Sequence, residues 1–385
     1  MILKHPKVLI YGLYDWDNLG DDLMMFLINQ KLISNNVDPY FFQNDQKDNY
    51  FSFSRNYDLN FPISNLNFKA KIKTYFKVLK KFFSKDLEYD AIIFMGGGYI
   101  NRSIGSGYGR LLYIFLLKKL FISKGKKVYF TGQTSGPIQS KIDSFLIKHI
   151  YINSTIYTRE SKSQELLENL KIKSELTGDD AFLYYQKLAT TAKKTSRKYI
   201  IVNFKDFKDY NIFDEKMVQM VIEISKELDY DIVLLPFRNI EKYEEYKIHV
   251  NIMKKMKNSD INVNLFLTDS VEEIMSLYSQ CSFVISTAYH AIVLGLIHNK
   301  YVFSGYLGEY YKTKIQGITG FYKKENYKIF DLDKSNSFTY MKESILKNYN
   351  KKINNTIVNE KLSLKERQQD LRDRVYEKMV ERSEN

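Results

Sequence analysis

His290 is the residue of this chain best placed to move a proton. Phe283-Val284-Ile285-Ser286 reads as a short apolar strand, and Thr287-Ala288-Tyr289-His290-Ala291-Ile292-Val293-Leu294-Gly295-Leu296 reads as the start of a helix directly after it. That order predicts His290 in the first turn of a helix at the carboxyl edge of a sheet, where the macrodipole favours bound anions. An imidazole there suits general acid–base work, although a lone histidine also serves as a packing residue. Ser286 and Thr287, with the amides at the helix start, are candidates to hold an anion beside it. After the next strand, Gly305-Tyr306-Leu307-Gly308-Glu309-Tyr310-Tyr311-Lys312-Thr313-Lys314 supplies Lys312 and Lys314. These are either the cations that reach that anion or ordinary surface lysines.

The first half of the chain carries four polar or glycine-bearing turns after strand-like runs. Tyr11-Gly12-Leu13-Tyr14-Asp15-Trp16-Asp17-Asn18-Leu19-Gly20-Asp21-Asp22 is neither a dinucleotide fingerprint nor a P-loop, because its glycines stand eight apart and no Lys-Ser/Thr follows. Asn18 and Asp21 are candidate ligand contacts, and Asn18, Asp21 or Asp22 can equally cap the helix that follows. Gly96-Gly97-Gly98 follows a buried strand, and Gly97 and Gly98 could bring free backbone N–H groups close to an anion or a sugar. Thr131-Gly132-Gln133-Thr134-Ser135-Gly136-Pro137 places Gln133 at a third strand end. Thr158-Arg159-Glu160-Ser161 is the fourth: Arg159 either clamps a carboxylate or phosphate or forms a structural ion pair, while Thr158 or Ser161 is placed to cap the next helix.

Short apolar runs alternating with helix-period segments position these turns, the pattern of βαβ units and a mostly parallel sheet. Strands are predicted near 7–12, 37–42, 89–95, 127–132 and 154–158, with helices near 19–34, 68–85, 107–124, 139–152 and 161–170. Residues 43–66, rich in Asn, Asp, Ser and Phe, read as a long loop. The polar run 187–196 reads as a linker, after which strands near 199–203, 231–236, 263–266, 282–286 and 301–305 alternate with helices near 213–228, 240–257, 270–280 and 288–298. The expectation is an α/β protein of two doubly wound, Rossmann-like domains, 1–187 and 197–335, with a helical extension at 336–385. Leu364, Leu371, Val375 and Met379 give that extension an apolar stripe suited to packing back on a domain, to a homodimer contact or to a membrane surface.

With 44% apolar and 27% charged residues the chain reads as globular, not disordered. A net charge of +13 favours an anionic partner, or else describes a solvated basic surface. One cysteine, Cys281, excludes an internal disulfide, and no Cys/His group has zinc spacing, so no metal is expected. The N-terminus runs straight into a strand, and no stretch reaches the ~20 apolar residues of a membrane span. A cytoplasmic protein is expected, at most peripheral at the inner face of the membrane.

Taken in order, these segments resemble the polysaccharide pyruvyl transferase family. The resemblance is carried by Asn18-Leu19-Gly20-Asp21, Gly96-Gly97-Gly98, Gly132-Gln133 with Gly136-Pro137, Arg159 with Ser163 and Leu166-Leu167, Gly178-Asp179-Asp180, and Ser286 to His290. It implies a GT-B-like arrangement and transfer of pyruvate from phosphoenolpyruvate to a cell-surface glycan as a ketal, without a cofactor. It also implies His290 as the catalytic histidine and Arg159 as a donor contact. The partners implied are an anionic donor and a carbohydrate acceptor, free or lipid-linked, with no nucleic acid. Two positions depart from the family pattern: Ala288 stands where an Arg is common, and Asp22 where a Glu is. The rival readings are a glycosyltransferase using a nucleotide sugar and a non-catalytic subunit of a glycan-synthesis complex.

Overall fold

The computed structural model describes residues 5–12, 18–43, 56–60, 80, 87–101, 107–181, 197–205, 215–238, 244–268, 270–319 and 326–349. The linker expected at 187–196, the helix expected near 68–85 and the stripe from Leu364 to Met379 lie outside these residues, Lys80 apart. The described chain forms two compact units, one of residues 5–12 and 21–181 and the other of residues 18–20 and 197–349.

The first unit is built on a sheet of β1 (Lys7–Tyr11), β2 (Asp38–Gln43), β3 (Asn56–Asn60), β4 (Ala91–Phe94), β5 (Gly97–Ile100), β6 (Lys127–Ser135), β7 (Thr155–Thr158) and β8 (Glu175–Leu176). Their order is β3-β2-β1-β4-β6-β7-β8, with β5 joined to β6, and all pairings are parallel. Helices α1 (Leu19–Ser34), α2 (Gly107–Ser123), α3 (Lys141–Tyr151) and α4 (Ser161–Asn169) form the crossovers. Strands such as Ala91-Ile92-Ile93-Phe94 are apolar at every position because helices cover both faces of a parallel sheet, and all four side chains are buried.

The second unit carries β9 (Tyr199–Asn203), β10 (Asp231–Leu234), β11 (Val263–Leu265), β12 (Phe283–Ser286), β13 (Tyr301–Tyr306) and β14 (Tyr327–Asp331) in the order β11-β10-β9-β12-β13-β14. Its helices are α5 (Glu215–Leu228), α6 (Glu244–Lys257), α7 (Val271–Gln280), α8 (Tyr289–Ile297), α9 (Gly308–Thr319) and α10 (Ser337–Asn348). This is the Rossmann strand order, whose reversal between β9 and β12 opens a crevice at the strands' carboxyl ends. The core is formed by residues such as Ile200, Val202, Val221, Ile232, Leu234, Phe283, Ile285 and Phe303, and it includes Met341 and Ile345 of α10. The opening part of the segment read as a C-terminal extension is therefore a core helix of the second unit.

Helix ends follow from local chemistry. Ser140 and Ser270 cap α3 and α7 by accepting from Asp143 N at 3.1 Å and Glu273 N at 3.2 Å. Asn36, Asn153, Asp229 and Asn299 adopt positive φ just after α1, α3, α5 and α8, doing with Asn and Asp what many chains do with glycine. Two expectations are corrected. Residues 43–66 are not all loop, because Asn56–Asn60 pairs with β2 as the edge strand; an edge strand needs only one neighbour, and its Asn/Asp-rich composition hides it. Neither Ser161 nor Thr158 caps α4, since Glu160 occupies that position and its carboxylate is held elsewhere.

Candidate functional site

In the second unit three adjacent strand ends converge on the start of α8. β12 ends at Ser286, next to Asn203 at the end of β9. Ser286 Oγ accepts from Ala288 N at 2.9 Å, and Thr287 N donates to Asn203 O at 3.1 Å. Thr287 Oγ1 accepts from Lys205 N at 2.8 Å. Ser286 and Thr287 thus use their hydroxyls to fold the turn into α8, which places Ala288 at the cap and His290 in the first turn, as the sequence pattern requires.

His290 is 8% exposed and in contact with two aromatic rings. Phe237 lies nearly parallel to it at 6.4 Å between centroids, and Tyr289 stands edge-on at 5.2 Å. Gly20 also packs against it: a Cβ at position 20 would collide with the imidazole, so only glycine permits this approach. Residues 18–20 are fixed by Asn18 Oδ1, which accepts from Gly20 N at 3.1 Å, and by Leu19 N, which donates to Phe237 O at 2.9 Å. Asn18 is therefore the helix cap that one reading of the sequence expected, and Asp21 lies in the first turn it starts.

Behind this turn stands a buried polar brace that sequence reasoning missed. Glu245 Oε1 accepts from Phe237 N at 2.7 Å and from Asn203 Nδ2 at 3.3 Å, so one carboxylate ties two of the converging strand ends. Burial raises its pKa against the opposing pull of those hydrogen bonds and of Lys205 and Arg238. One turn on, His249 Nδ1 meets Glu245 O at 2.7 Å and Nε2 accepts from Phe204 N at 3.2 Å. Burial pushes His249 down to about 4, so it is a neutral structural histidine. The only sequence signals for this brace are polar residues ending an apolar strand and an i, i+4 Glu-His pair.

The two predicted lysines behave differently. Lys314 Nζ sits over the Tyr289 ring at 4.7 Å, next to His290, whereas Lys312 Nζ is drawn to Glu309 Oε1 at 2.6 Å on the outer face of α9. Lys205, which the sequence did not single out, lies over Tyr311 at 4.9 Å. Lys205, bonded through its backbone N–H to Thr287, and Lys314, over Tyr289, are thus both near the start of α8.

The remaining predicted residues lie in the first unit, at and around the ends of β4, β6 and β7. Arg159 is 1% exposed; its Nη1 meets Asp179 Oδ2 at 3.1 Å, its Nε lies 3.3 Å from Glu160 Oε2, and Nε also donates to Thr134 Oγ1. Glu160 further accepts from Ser163 Oγ at 2.6 Å. The guanidinium faces two carboxylates inside the protein, which gives Arg159 the ion-pair role rather than that of a presented clamp. Gln133 Nε2 straps strand ends together through Phe94 O at 2.9 Å, Met95 O at 2.6 Å and Thr131 O at 3.0 Å.

The glycine run also differs from its reading as an open anion nest. Gly97 and Gly98 belong to β5, which pairs with β6. A Cβ on Gly97 would lie 2.7 Å from the buried Tyr99 ring, so close packing demands the glycine. Asp180 is the hub of this region: its carboxylate accepts from Gly96 N at 2.7 Å and Thr131 Oγ1 at 2.8 Å, and it crowds Gly132, which holds φ at +51°. Among the described residues no three His, Cys, Asp or Glu side chains cluster as metal ligands.

Solved structures share this fold over nearly the whole chain. The UDP-GlcNAc 2-epimerase from Methanocaldococcus jannaschii aligns with a TM-score of 0.61 and 12% identity, covering 91% of this chain and 94% of that one. The UDP-GlcNAc 2-epimerase from Neisseria meningitidis bound to UDP-GlcNAc gives 0.59 and 13%, covering 96% and 99%. A glycosyltransferase from Rickettsia africae gives 0.54 and 13%, covering 98% and 99%. No curated protein matches the chain in sequence. The family model for polysaccharide pyruvyl transferase matches residues 18–304, a span that begins at Asn18 and takes in His290. The chain therefore belongs to the polysaccharide pyruvyl transferase family and is a glycan-modifying enzyme.

Proposed function

We propose that this enzyme transfers pyruvate from phosphoenolpyruvate to two hydroxyls of a sugar as a ketal, with His290 moving the proton. One observation carries the reading: Gly20, near the start of the family match, packs against the imidazole of His290, near its end. Two segments remote in sequence thus meet at one titratable ring. A protonated His290 gives its proton to C3 of phosphoenolpyruvate, which makes C2 electrophilic. The first hydroxyl adds at C2, and its proton returns to His290. The C2–O bond to phosphate then breaks, the second hydroxyl adds at C2, and its proton leaves with inorganic phosphate.

Ala288 offers no charge where the family commonly has Arg. Lys314 and Lys205, near the start of α8, supply that charge instead, and the amides of its first turn are the donors to the anion. Ser286, Thr287 and Asn203 position the turn. Arg159, Asp179 and Asp180 hold the first unit's strand ends in place. The acceptor is a cell-surface glycan or its lipid-linked precursor.

A second reading, transfer from a nucleotide sugar, is favoured by one fact: a structure sharing the fold is bound to UDP-GlcNAc. Donor-dependent melting decides between them, because a ligand that binds only the native state raises its stability. Phosphoenolpyruvate should raise the melting temperature and UDP-GlcNAc should not. A shift with UDP-GlcNAc alone would replace pyruvyl transfer with glycosyl transfer.

A further inference from the structure

The first unit carries an apolar face that nothing in the described chain covers. Ile142 and Phe145 of α3 are 58% and 59% exposed, Ile152 just beyond the helix is 41% exposed, and Leu112 of α2 is 43% exposed. Ile142, Phe145, His149 and Ile152 follow the 3-4-3 spacing of a single helical stripe, and the His149 ring packs on Phe145 at 4.0 Å. On α2 the spacing of Leu112, Phe115 and Lys119 makes a second stripe, with Lys119 Nζ 5.8 Å from the Phe115 ring.

The two stripes are side by side. Tyr108 Oη lies 3.4 Å from Ser140 Oγ at the start of both helices, and Lys118 Nζ donates to His149 O at 3.1 Å ten residues on. The helices therefore run parallel, which brings Leu112 level with Phe145. An outward apolar face of this kind on a monomer usually marks an interaction surface.

Charge identifies the partner. Residues 107–154 contain eight Lys and Arg and a single acidic residue, Asp143; Arg110 and Lys118 are buried and Lys126 pairs with Asp90, and Lys119, Lys141 and Lys148 are the cations of this face. Asp143 is buried and accepts from Gln139 N, so no carboxylate from this segment reaches the surface. Lys119 and Lys141 stand exposed beside the apolar residues, and Lys148 is half-buried there.

We propose that this face of α2 and α3 docks the enzyme on an anionic lipid surface, with Leu112, Ile142, Phe145 and Ile152 entering the headgroup boundary and Lys119, Lys141 and Lys148 meeting the headgroups. A second copy of the chain fits less well, because a two-fold contact would set this basic segment against itself. The site is independent of the chemistry at His290.

Co-sedimentation of the full chain with phosphatidylcholine vesicles, with or without about one-third phosphatidylglycerol, tests it. The chain should bind the anionic vesicles, more weakly at high salt, and bind pure phosphatidylcholine poorly. Ile142→Ser with Phe145→Ser should weaken binding about tenfold or more, with no loss of melting temperature because both side chains are exposed. Lys119→Gln with Lys141→Gln should weaken it independently. Unchanged binding in both variants would overturn the proposal. So would absence of vesicle binding together with a dimer that the Ser variant dissociates, which would make a second copy the occupant.

Discussion

The strand ends of the first unit and those of the second are both buried and polar, yet their charges face different things. In the first, Arg159 is met by Glu160 and Asp179, and Asp180 accepts from Gly96 N and Thr131 Oγ1. In the second, Phe237, Tyr289 and Gly20 lie against His290, and Lys314 lies over the Tyr289 ring. A densely hydrogen-bonded network of this kind rigidifies a fold, whereas a histidine in the first turn of a helix is placed for the proton transfer proposed above. Polar residues at strand ends therefore tie the first unit's sheet together, while in the second unit they shape the turn that carries the proposed proton donor.

The sharpest test of that contrast is His290→Asn, which keeps size and polarity but cannot transfer a proton near neutral pH. Transfer of pyruvate, followed as phosphate release in the presence of acceptor, should fall about a hundred- to ten-thousand-fold with little change in melting. Full activity in this variant would remove His290 from the chemistry. Arg159→Met should do the reverse. Leaving Glu160 and Asp179 without their cation should cost about 3–5 kcal/mol in denaturant unfolding. A stable Arg159→Met protein that has lost only donor affinity would return Arg159 to the role of ligand clamp.

The brace behind His290 has its own signature in acid. Burial holds His249 at about 4, below its ordinary 6.5, so the folded state keeps it neutral while the unfolded chain takes up a proton first. Its contribution is intact above pH 6.5 and is lost as the pH falls towards 4, on the order of a few kcal/mol. His249→Gln should flatten the fall in melting temperature over that window relative to the parent chain. Equal acid sensitivity in the two proteins would show that His249 is not the group responsible.

The smallest expected effect concerns the charge missing at the start of α8. Ala288→Arg should tighten phosphoenolpyruvate binding by about 1.5–3 kcal/mol, and salt should erode the gain. Calorimetric titration at two salt concentrations reads both. No gain at low salt would mean that the lysines already saturate the anion site, or that the anion binds elsewhere.

The local elements were written plainly in the sequence. The spacing of apolar residues predicts α1 at 19–34 and β9 at 199–203, where the structure has them, and it places His290 in the first turn of a helix after a strand. Such features depend on neighbours within a few residues, so period and capping chemistry suffice to read them. The edge strand Asn56–Asn60 and the pairing of Gly97–Ile100 with β6 were not legible, because a strand exists only through its partner. Nor could the sequence tell Arg159 from Lys314: both are cations in polar segments that follow strands, and only the folded chain sets one against Asp179 and the other over Tyr289. The meeting of Gly20 with His290 lies 270 residues apart in the chain, and no local rule reaches that far. Residue types and short spacings determined which groups could do chemistry, and the tertiary structure, which depends on every other part of the chain, decided which of them are buried and which counter-charges they meet.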